Sequence, residues 1–164
     1  MRKLLIDLDL YAQYKERDFG CSYFYHSNNE GIRSLLELGN YAIICRRCEL
    51  ASCVTACPNE ALEKSEDKTL KRYNMRCTSC KSCSHACPFG VIFPEMLPYL
   101  VPRCDFCLGR LMENEVPLCV QNSPKGVLEY GDFEENKEKK IYAVSKNMLV
   151  KAERWDRNGV ELRK

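Results

Sequence analysis

The chain has 164 residues, enough for one compact domain or two very small ones, and too few for a large catalytic core. Its 25 basic and 23 acidic residues are mixed along the sequence and leave a net charge of only +2, which argues against a nucleic-acid partner or an acidic membrane surface. Twelve cysteines are present, and in a reducing cytosol so many thiols are better explained as metal ligands than as disulfides.

The N-terminal stretch MRKLLIDLDLYAQY becomes acidic too early to be a secretion signal. No apolar run approaches the roughly 20 residues that cross a bilayer. We therefore expect a cytoplasmic protein without direct membrane insertion.

Residues 6–21 read IDLDLYAQYKERDFGC, which has the outline of a cluster-binding loop with only its last cysteine present. The bacterial ferredoxin pattern C-x2-C-x2-C-x3-C, laid over residues 11–21, places Tyr11, Tyr14 and Arg17 in the first three ligand positions. Cys21 takes the fourth position. The function of this isolated cysteine depends on the motifs that follow.

Between these motifs we expect short elements, because seven prolines interrupt the chain. The stretch GIRSLLELG, residues 31–39, places apolar residues partly on one face and predicts a packing helix. The stretch YAIIC, residues 41–45, predicts a short strand.

Two complete cysteine motifs follow, CRRCELASCVTACP and CTSCKSCSHACP. In such motifs the first three thiolates surround one iron–sulfur cube, and the fourth faces away and ligates the neighbouring cube. The sequence therefore predicts one cluster on Cys45, Cys48, Cys53 and Cys87, and a second on Cys77, Cys80, Cys83 and Cys57. The alternative is a zinc site held by four cysteines, which would need neither the interlocked motifs nor the prolines that follow them.

The third group contains Cys104, Cys107 and Cys119, and has Ser123 where a fourth cysteine would be expected. Read alone, it is an incomplete cube or a three-iron cluster. If the first and third motifs exchange their last ligands, as the two complete motifs do, Cys21 is instead the fourth ligand of this cluster. Four ligand positions lack cysteine, and all four would have served one and the same cluster; they hold Tyr11, Tyr14, Arg17 and Ser123. The twelve cysteines present are enough for three clusters of four ligands each. We therefore predict three [4Fe-4S] clusters.

From Asp132 onward cysteine is absent, and the charged run EENKEKK leads into IYAVSKNMLVKAERW. This segment is interpreted either as a solvated link to a terminal strand or helix, or as a docking tail with Trp155 as an interface anchor.

The four-motif pattern, with CDFCLGR, VPLCV and SPKGVLEYGD, resembles the ferredoxin-like subunits of formate dehydrogenase, dimethyl sulfoxide reductase, formate hydrogenlyase and carbon monoxide dehydrogenase systems. The resemblance spans residues 1 to 131 and implies an α+β fold of two nested bacterial-ferredoxin-like units, with short strands and helices, much irregular loop and one cluster site lost. Residues 1–39 with 101–131 would form the outer unit, 40–100 the inner two-cluster unit and 132–164 a docking tail.

The lost cluster, the short chain and the absence of a membrane anchor are similar to small subunits of tungsten enzymes of the aldehyde oxidoreductase type, such as class II benzoyl-CoA reductase. The resemblance implies a non-catalytic subunit that relays single electrons between a further electron-transfer protein and a large catalytic subunit containing tungsten or molybdenum. The alternatives are a subunit of a formate dehydrogenase, hydrogenase or CO dehydrogenase complex, a free polyferredoxin carrier, and a zinc-stabilised structural module.

Overall fold

The computed structural model describes residues 2–14, 19–21, 31–65, 69–100, 104–107 and 109–153. The chain divides into two compact units: a terminal unit, Met1–His26 with Phe106–Lys164, and a central unit, Ser27–Asp105. Arg17, assigned to a lost ligand position, and Trp155 of the predicted tail lie outside the described residues.

The α+β class predicted from the sequence is confirmed, because short helices and strands are joined by irregular backbone. The helices are α1 (Leu8–Gln13), α2 (Gly31–Ile44), α3 (Ser52–Thr55), α4 (Ser82–Ala86) and α5 (Leu118–Asn122), with a 3-10 helix at Pro94–Leu100. The strands are β1 (Lys3–Asp7), β2 (Leu62–Lys64), β3 (Leu70–Arg72), β4 (Leu128–Gly131), β5 (Ile141–Ser145) and β6 (Met148–Lys151). Within the described ranges, no helix has both the length and the apolar character required to cross a bilayer.

The terminal unit is built on a four-stranded sheet with the order β4-β1-β6-β5. Strand β1 pairs antiparallel with β4 and parallel with β6, and β5 pairs antiparallel with β6. Because a parallel pair cannot be closed by a tight turn, the β1–β6 pairing requires distant parts of the chain to meet. Residues 141–151, assigned from the sequence to a docking tail, form two strands of this sheet, and Met148, Leu149 and Val150 are fully buried in it.

Asp7 is a buried carboxylate at the end of β1, only 5% exposed. One of its oxygens accepts a hydrogen bond from the Leu10 amide at 2.9 Å and so caps α1. The other accepts one from the Lys151 ammonium at 2.8 Å. These two partners satisfy the buried charge and connect the ends of the parallel strands.

The central unit has a small apolar core beside its cysteines. Buried residues from α2, β2, β3, the 3-10 helix and the segment before that helix pack together with the thiol of Cys83; they are Tyr41, Leu62, Leu70, Ile92, Leu97 and Leu100. Cys45, Cys53 and Cys87 pack against this cluster. The thiols are therefore part of the core rather than attached to its surface.

Helix α2 confirms the helix predicted for residues 31–39 and extends it, so the strand predicted for residues 41–45 is wrong. Tyr41 and Ala42 are buried on the same helix as Leu35 and Leu38, at spacings of three and four residues, which continues the helical period. The Cys45 amide donates to the Tyr41 carbonyl at 2.9 Å, which carries the helical hydrogen bonding up to the first cysteine.

Candidate metal centres

In the C-x2-C loops that begin at Cys45, Cys77 and Cys104, the residue immediately before the second cysteine is left-handed. The φ angles are +50° at Arg47, +57° at Ser79 and +55° at Phe106. Positive φ is uncommon for residues other than glycine, and such strain collects at functional sites. Turns of this kind direct backbone N–H groups into a shared concavity that suits an anionic group. The third loop therefore shares this left-handed residue with the two complete motifs, but in the third loop Cys107 itself is also left-handed, with φ +54°.

The first candidate centre is a cavity lined by four cysteines from two different motifs, Cys45, Cys48, Cys53 and Cys87. Cys45 follows the end of α2, Cys53 lies on α3, and Cys87 follows α4. The last cysteine of the second motif thus enters the cavity of the first motif, which is the set predicted from the spacing.

The second candidate centre is a cavity lined by Cys57, Cys77, Cys80 and Cys83. Here the last cysteine of the first motif joins three from the second. Helices α3 and α4 contact each other, so the residue that follows each helix reaches the neighbouring motif. Among the described residues lining the two cavities there is no Asp, Glu or His. Thiolate-only donor sets fit zinc or an iron–sulfur cluster.

In the first cavity, ionisation of the Cys53 thiol is disfavoured. Burial raises the pKa of Cys53, and the nearby charges of Cys45 and Cys87 raise it further. Metal ligation requires thiolates. A bound cationic group would offset this cost at Cys53.

In the second cavity, one thiol is exposed and two ligand sulfurs have hydrogen-bond partners. Cys80 is exposed, and the hydroxyl and amide of Ser82 lower its pKa, with an Oγ to Sγ distance of 3.4 Å. The Ala61 amide donates to the Cys57 sulfur at 3.2 Å. Burial raises the pKa of Cys83, and the charges of Cys57 and Cys77 add to this. The Ser82 donors therefore favour the thiolate form of Cys80.

A third group of thiols lies in the terminal unit. Burial raises the pKa of Cys119, on α5, to about 11, and the charges of Cys107 and Cys21 contribute. The side-chain amide of Asn122 donates to the Phe19 carbonyl at 3.1 Å, which holds the segment before Cys21 against α5. The structure thus brings both the isolated N-terminal Cys21 and Cys107 within electrostatic reach of Cys119.

Cys104 lies at the end of the central unit, and its ligation with the other three thiols stays a prediction from the spacing. Ser123, where a fourth cysteine would be expected, is half-buried, and its hydroxyl donates to the Val120 carbonyl at 3.0 Å. The Tyr11 ring packs edge-on against Phe19 at 5.9 Å, whereas Tyr14 is 39% exposed. These three residues have local packing or solvent roles.

Among the described residues, no group of three or more Cys, His, Asp or Glu side chains is arranged as around a single metal ion. Four thiolates on one zinc ion at about 2.3 Å would lie roughly 3.8 Å from each other. A cube with iron at its corners holds its thiolates further apart. An all-cysteine lining without this close spacing is compatible with a [4Fe-4S] cluster.

Sequence reasoning missed Tyr41, which lines the first cavity. A signal was available, because a tyrosine precedes the first cysteine of each complete motif by four residues: Tyr41 before Cys45 and Tyr73 before Cys77.

A family model described as a 4Fe-4S dicluster domain matches residues 38–133, more than half of the chain. A probable anaerobic dimethyl sulfoxide reductase subunit of Escherichia coli is 33% identical over 98 residues, covering 60% of this chain and 48% of that protein. The B subunit of the E. coli anaerobic dimethyl sulfoxide reductase is 32% identical over 98 residues, which again cover 60% of this chain and 48% of that protein. The thiosulfate reductase electron transfer subunit of Salmonella typhi is 33% identical over 95 residues, covering 57% of this chain and 50% of that protein.

The matched region spans about half the length of these relatives. No solved structure is significantly similar to the chain.

Proposed function

Because the chain belongs to the 4Fe-4S dicluster domain family, we propose that it carries three [4Fe-4S] clusters and relays single electrons to or from the active site of a larger oxidoreductase. The family match confirms the resemblance to ferredoxin-like iron–sulfur subunits noted from the sequence. We assign the chain no catalytic residues of its own.

The observation that carries the proposal is the composition of the two cavities in the central unit. Each is lined by four cysteines, three from one motif and the last from the other. This interlocked arrangement is the one expected of two-cluster ferredoxins, and a zinc module has no need of it. The thiol-only donor set of the described lining residues is also the one that sulfur-ligated iron requires.

A third cluster is supported by two observations. The charges of Cys107 and Cys21 reach Cys119, and the loop from Cys104 to Cys107 has the same left-handed residue as the two complete motifs. We propose Cys104, Cys107, Cys119 and Cys21 as its ligands. The chain would then fold its N-terminal segment onto α5 to complete the site.

When bound, a [4Fe-4S] cluster gains or loses one electron at a potential set by its surroundings. The cysteines hold the clusters, and the apolar side chains around them limit access of water. In the first cavity Leu70 and Ile92 contribute this apolar lining. In the second, hydrogen bonds from Ser82 and the Ala61 amide to ligand sulfurs stabilise the more negative reduced state.

We propose as partners a large catalytic subunit containing molybdenum or tungsten and a further electron-transfer protein. The similarity to subunits of dimethyl sulfoxide and thiosulfate reductases supports a reductase complex. The loss of one cluster site supports the narrower assignment to a tungsten enzyme such as class II benzoyl-CoA reductase. We also propose that the chain acts in the cytoplasm.

The test is anaerobic affinity purification of the full chain from its native host, followed by metal and sulfide analysis. We expect about twelve iron and twelve sulfide per chain, together with a large protein containing molybdenum or tungsten. The metal in that protein distinguishes the two partner classes. Four-coordinate zinc in place of iron would overturn the electron-transfer proposal, and a fully iron-loaded chain without a partner would favour a free carrier.

A further inference from the structure

The hydroxyl of Tyr41 is a buried polar group without an acceptor. Tyr41 is 2% exposed and belongs to the apolar core formed with Leu62 and Leu70. Among the described residues, no atom makes a hydrogen bond of acceptable geometry with its hydroxyl oxygen. A buried hydroxyl without a partner is destabilising, and each such group in a folded protein calls for an explanation. Phenylalanine would fill the same space without this cost.

The position of Tyr41 indicates what the acceptor is. It lines the first cavity together with the four cysteines. Cys45 follows it by one helical turn, with the backbone bond of 2.9 Å between them, so both side chains lie on the same side of α2. After burial, the charge of Cys45 and the reach of its sulfur toward the hydroxyl raise the pKa of Tyr41, followed by the charges of Cys53 and Cys87. The hydroxyl therefore lies among the sulfurs of that site.

Tyr73 provides an internal comparison. It precedes Cys77 as Tyr41 precedes Cys45, and the Cys77 amide donates to its carbonyl at 3.2 Å. Its hydroxyl, however, donates to the Glu63 carboxylate at the exposed surface, and Tyr73 does not line the second cavity. The two tyrosines share a position in their motifs, but only Tyr41 directs its hydroxyl toward a cluster site.

We propose that the Tyr41 hydroxyl donates a hydrogen bond to a sulfur of the cluster held by Cys45, Cys48, Cys53 and Cys87, and thereby raises the reduction potential of that cluster. This inference rests on the proposed function. Reduction adds one electron and one negative charge to the site, so a fixed donor stabilises the reduced state more than the oxidised state. The proton remains on the tyrosine oxygen in both states. Tyr41 is thus a tuning residue and not a ligand.

The experiment compares Tyr41→Phe with the matched control Tyr73→Phe in the full, cluster-loaded chain. Potentials of all clusters are measured by anaerobic redox titration followed by electron paramagnetic resonance. We expect Tyr41→Phe to lower the ratio of reduced to oxidised first-site cluster at fixed potential by three- to tenfold, where tenfold corresponds to about 59 mV for one electron. Tyr73→Phe should leave every potential unchanged, and both variants should retain full iron.

A second measurement covers the case in which Tyr41→Phe does not retain its iron. In wild-type protein transferred to D2O, electron–nuclear double resonance should show an exchangeable proton coupled to one cluster, and the signal should be absent from a Cys53→Ser, Cys87→Ser double variant. Unchanged potentials in an iron-loaded Tyr41→Phe variant, or no exchangeable coupling at that cluster, would overturn the inference and leave the proposed function intact. A wild-type chain without iron would instead refute the proposed function itself.

Discussion

Cys87 ends the second cysteine motif, yet it lines the same cavity as Cys53 of the first motif. The charge of Cys87 contributes, after burial and Cys45, to the raised pKa of Cys53. Cys57 makes the reciprocal exchange and lines the cavity of the second motif. Each proposed cluster therefore depends on both motifs, and this dependence can be measured.

Pairs of cysteine-to-serine substitutions distinguish exchanged ligands from ligands taken in sequence order. We expect Cys53→Ser with Cys87→Ser to remove one cluster and leave two, with about eight iron per chain, because both cysteines line one cavity. Cys83→Ser with Cys87→Ser should damage two clusters and leave one intact. Iron analysis and spin quantitation of the reduced protein provide the measurement. The reverse order of damage would show that each motif holds its own cluster.

Substitution of Cys21 tests the third cluster. Because its charge acts on Cys119, we expect Cys21→Ser either to lose about four iron or to lose about one and show an oxidised three-iron resonance. The matched control is Ser123→Ala, since Ser123 occupies a cysteine position of the motif but its hydroxyl caps α5. A Cys21→Ser variant with full iron and unchanged spectra would contradict the assignment.

The strand β6 should be essential to the terminal unit. Met148 is fully buried between β1 and β5, so we expect Met148→Ala to lower the free energy of unfolding by roughly 2–5 kcal/mol. Met75 is 99% exposed, and Met75→Ala should change it by less than about 0.5 kcal/mol. Chemical denaturation followed by circular dichroism measures both. Similar effects of the two substitutions would mean that β6 is not part of the core.

Features set by neighbouring residues could be predicted from the sequence, whereas features set by contacts between distant parts of the chain could not. The cysteine spacing is local, so the sequence indicated which thiols could share a cavity and where a helix begins at Gly31. The short apolar run from Tyr41 suits a helix or a strand equally, and only its packing decides. The pairing of β1 with β6 joins opposite ends of the chain, and no local pattern in either strand specifies its partner.

The ion pair of Lys151 with Asp7 should make stability depend on alkaline pH. The hydrogen bond from Lys151 to Asp7, and then the Asp7 charge, raise the pKa of Lys151 above its ordinary value. Its contribution is therefore complete below the unfolded pKa of about 10.4 and is lost as pH rises through the folded pKa. Urea unfolding between pH 9 and about 11.5 should show part of this loss in wild type.

The matched variants for this test are Lys151→Met and Lys146→Met, the latter at an exposed position in the turn between β5 and β6. Lys151→Met should be less stable at neutral pH and should show a shallower alkaline decline. Because the Lys151 side chain is 48% exposed, solvent screening keeps the effect small. An unchanged slope in Lys151→Met would show that the pair does not contribute.

Removal of iron should affect the two units unequally. The core of the central unit includes Cys83, with Cys45, Cys53 and Cys87 packed against it, so loss of the clusters leaves mutually repelling thiols where metal bonds had been. The sheet of the terminal unit instead buries Ile6, Val127 and Val150. After anaerobic chelation we expect amide protection to fall by roughly a hundredfold or more in β2 and β3 and much less in β1 and β6. Hydrogen exchange with mass spectrometry resolves these segments.

An equal loss of amide protection in both units would mean that the sheet also depends on metal. Retained protection in β2 and β3 would mean that the cysteine-lined core is stable without metal.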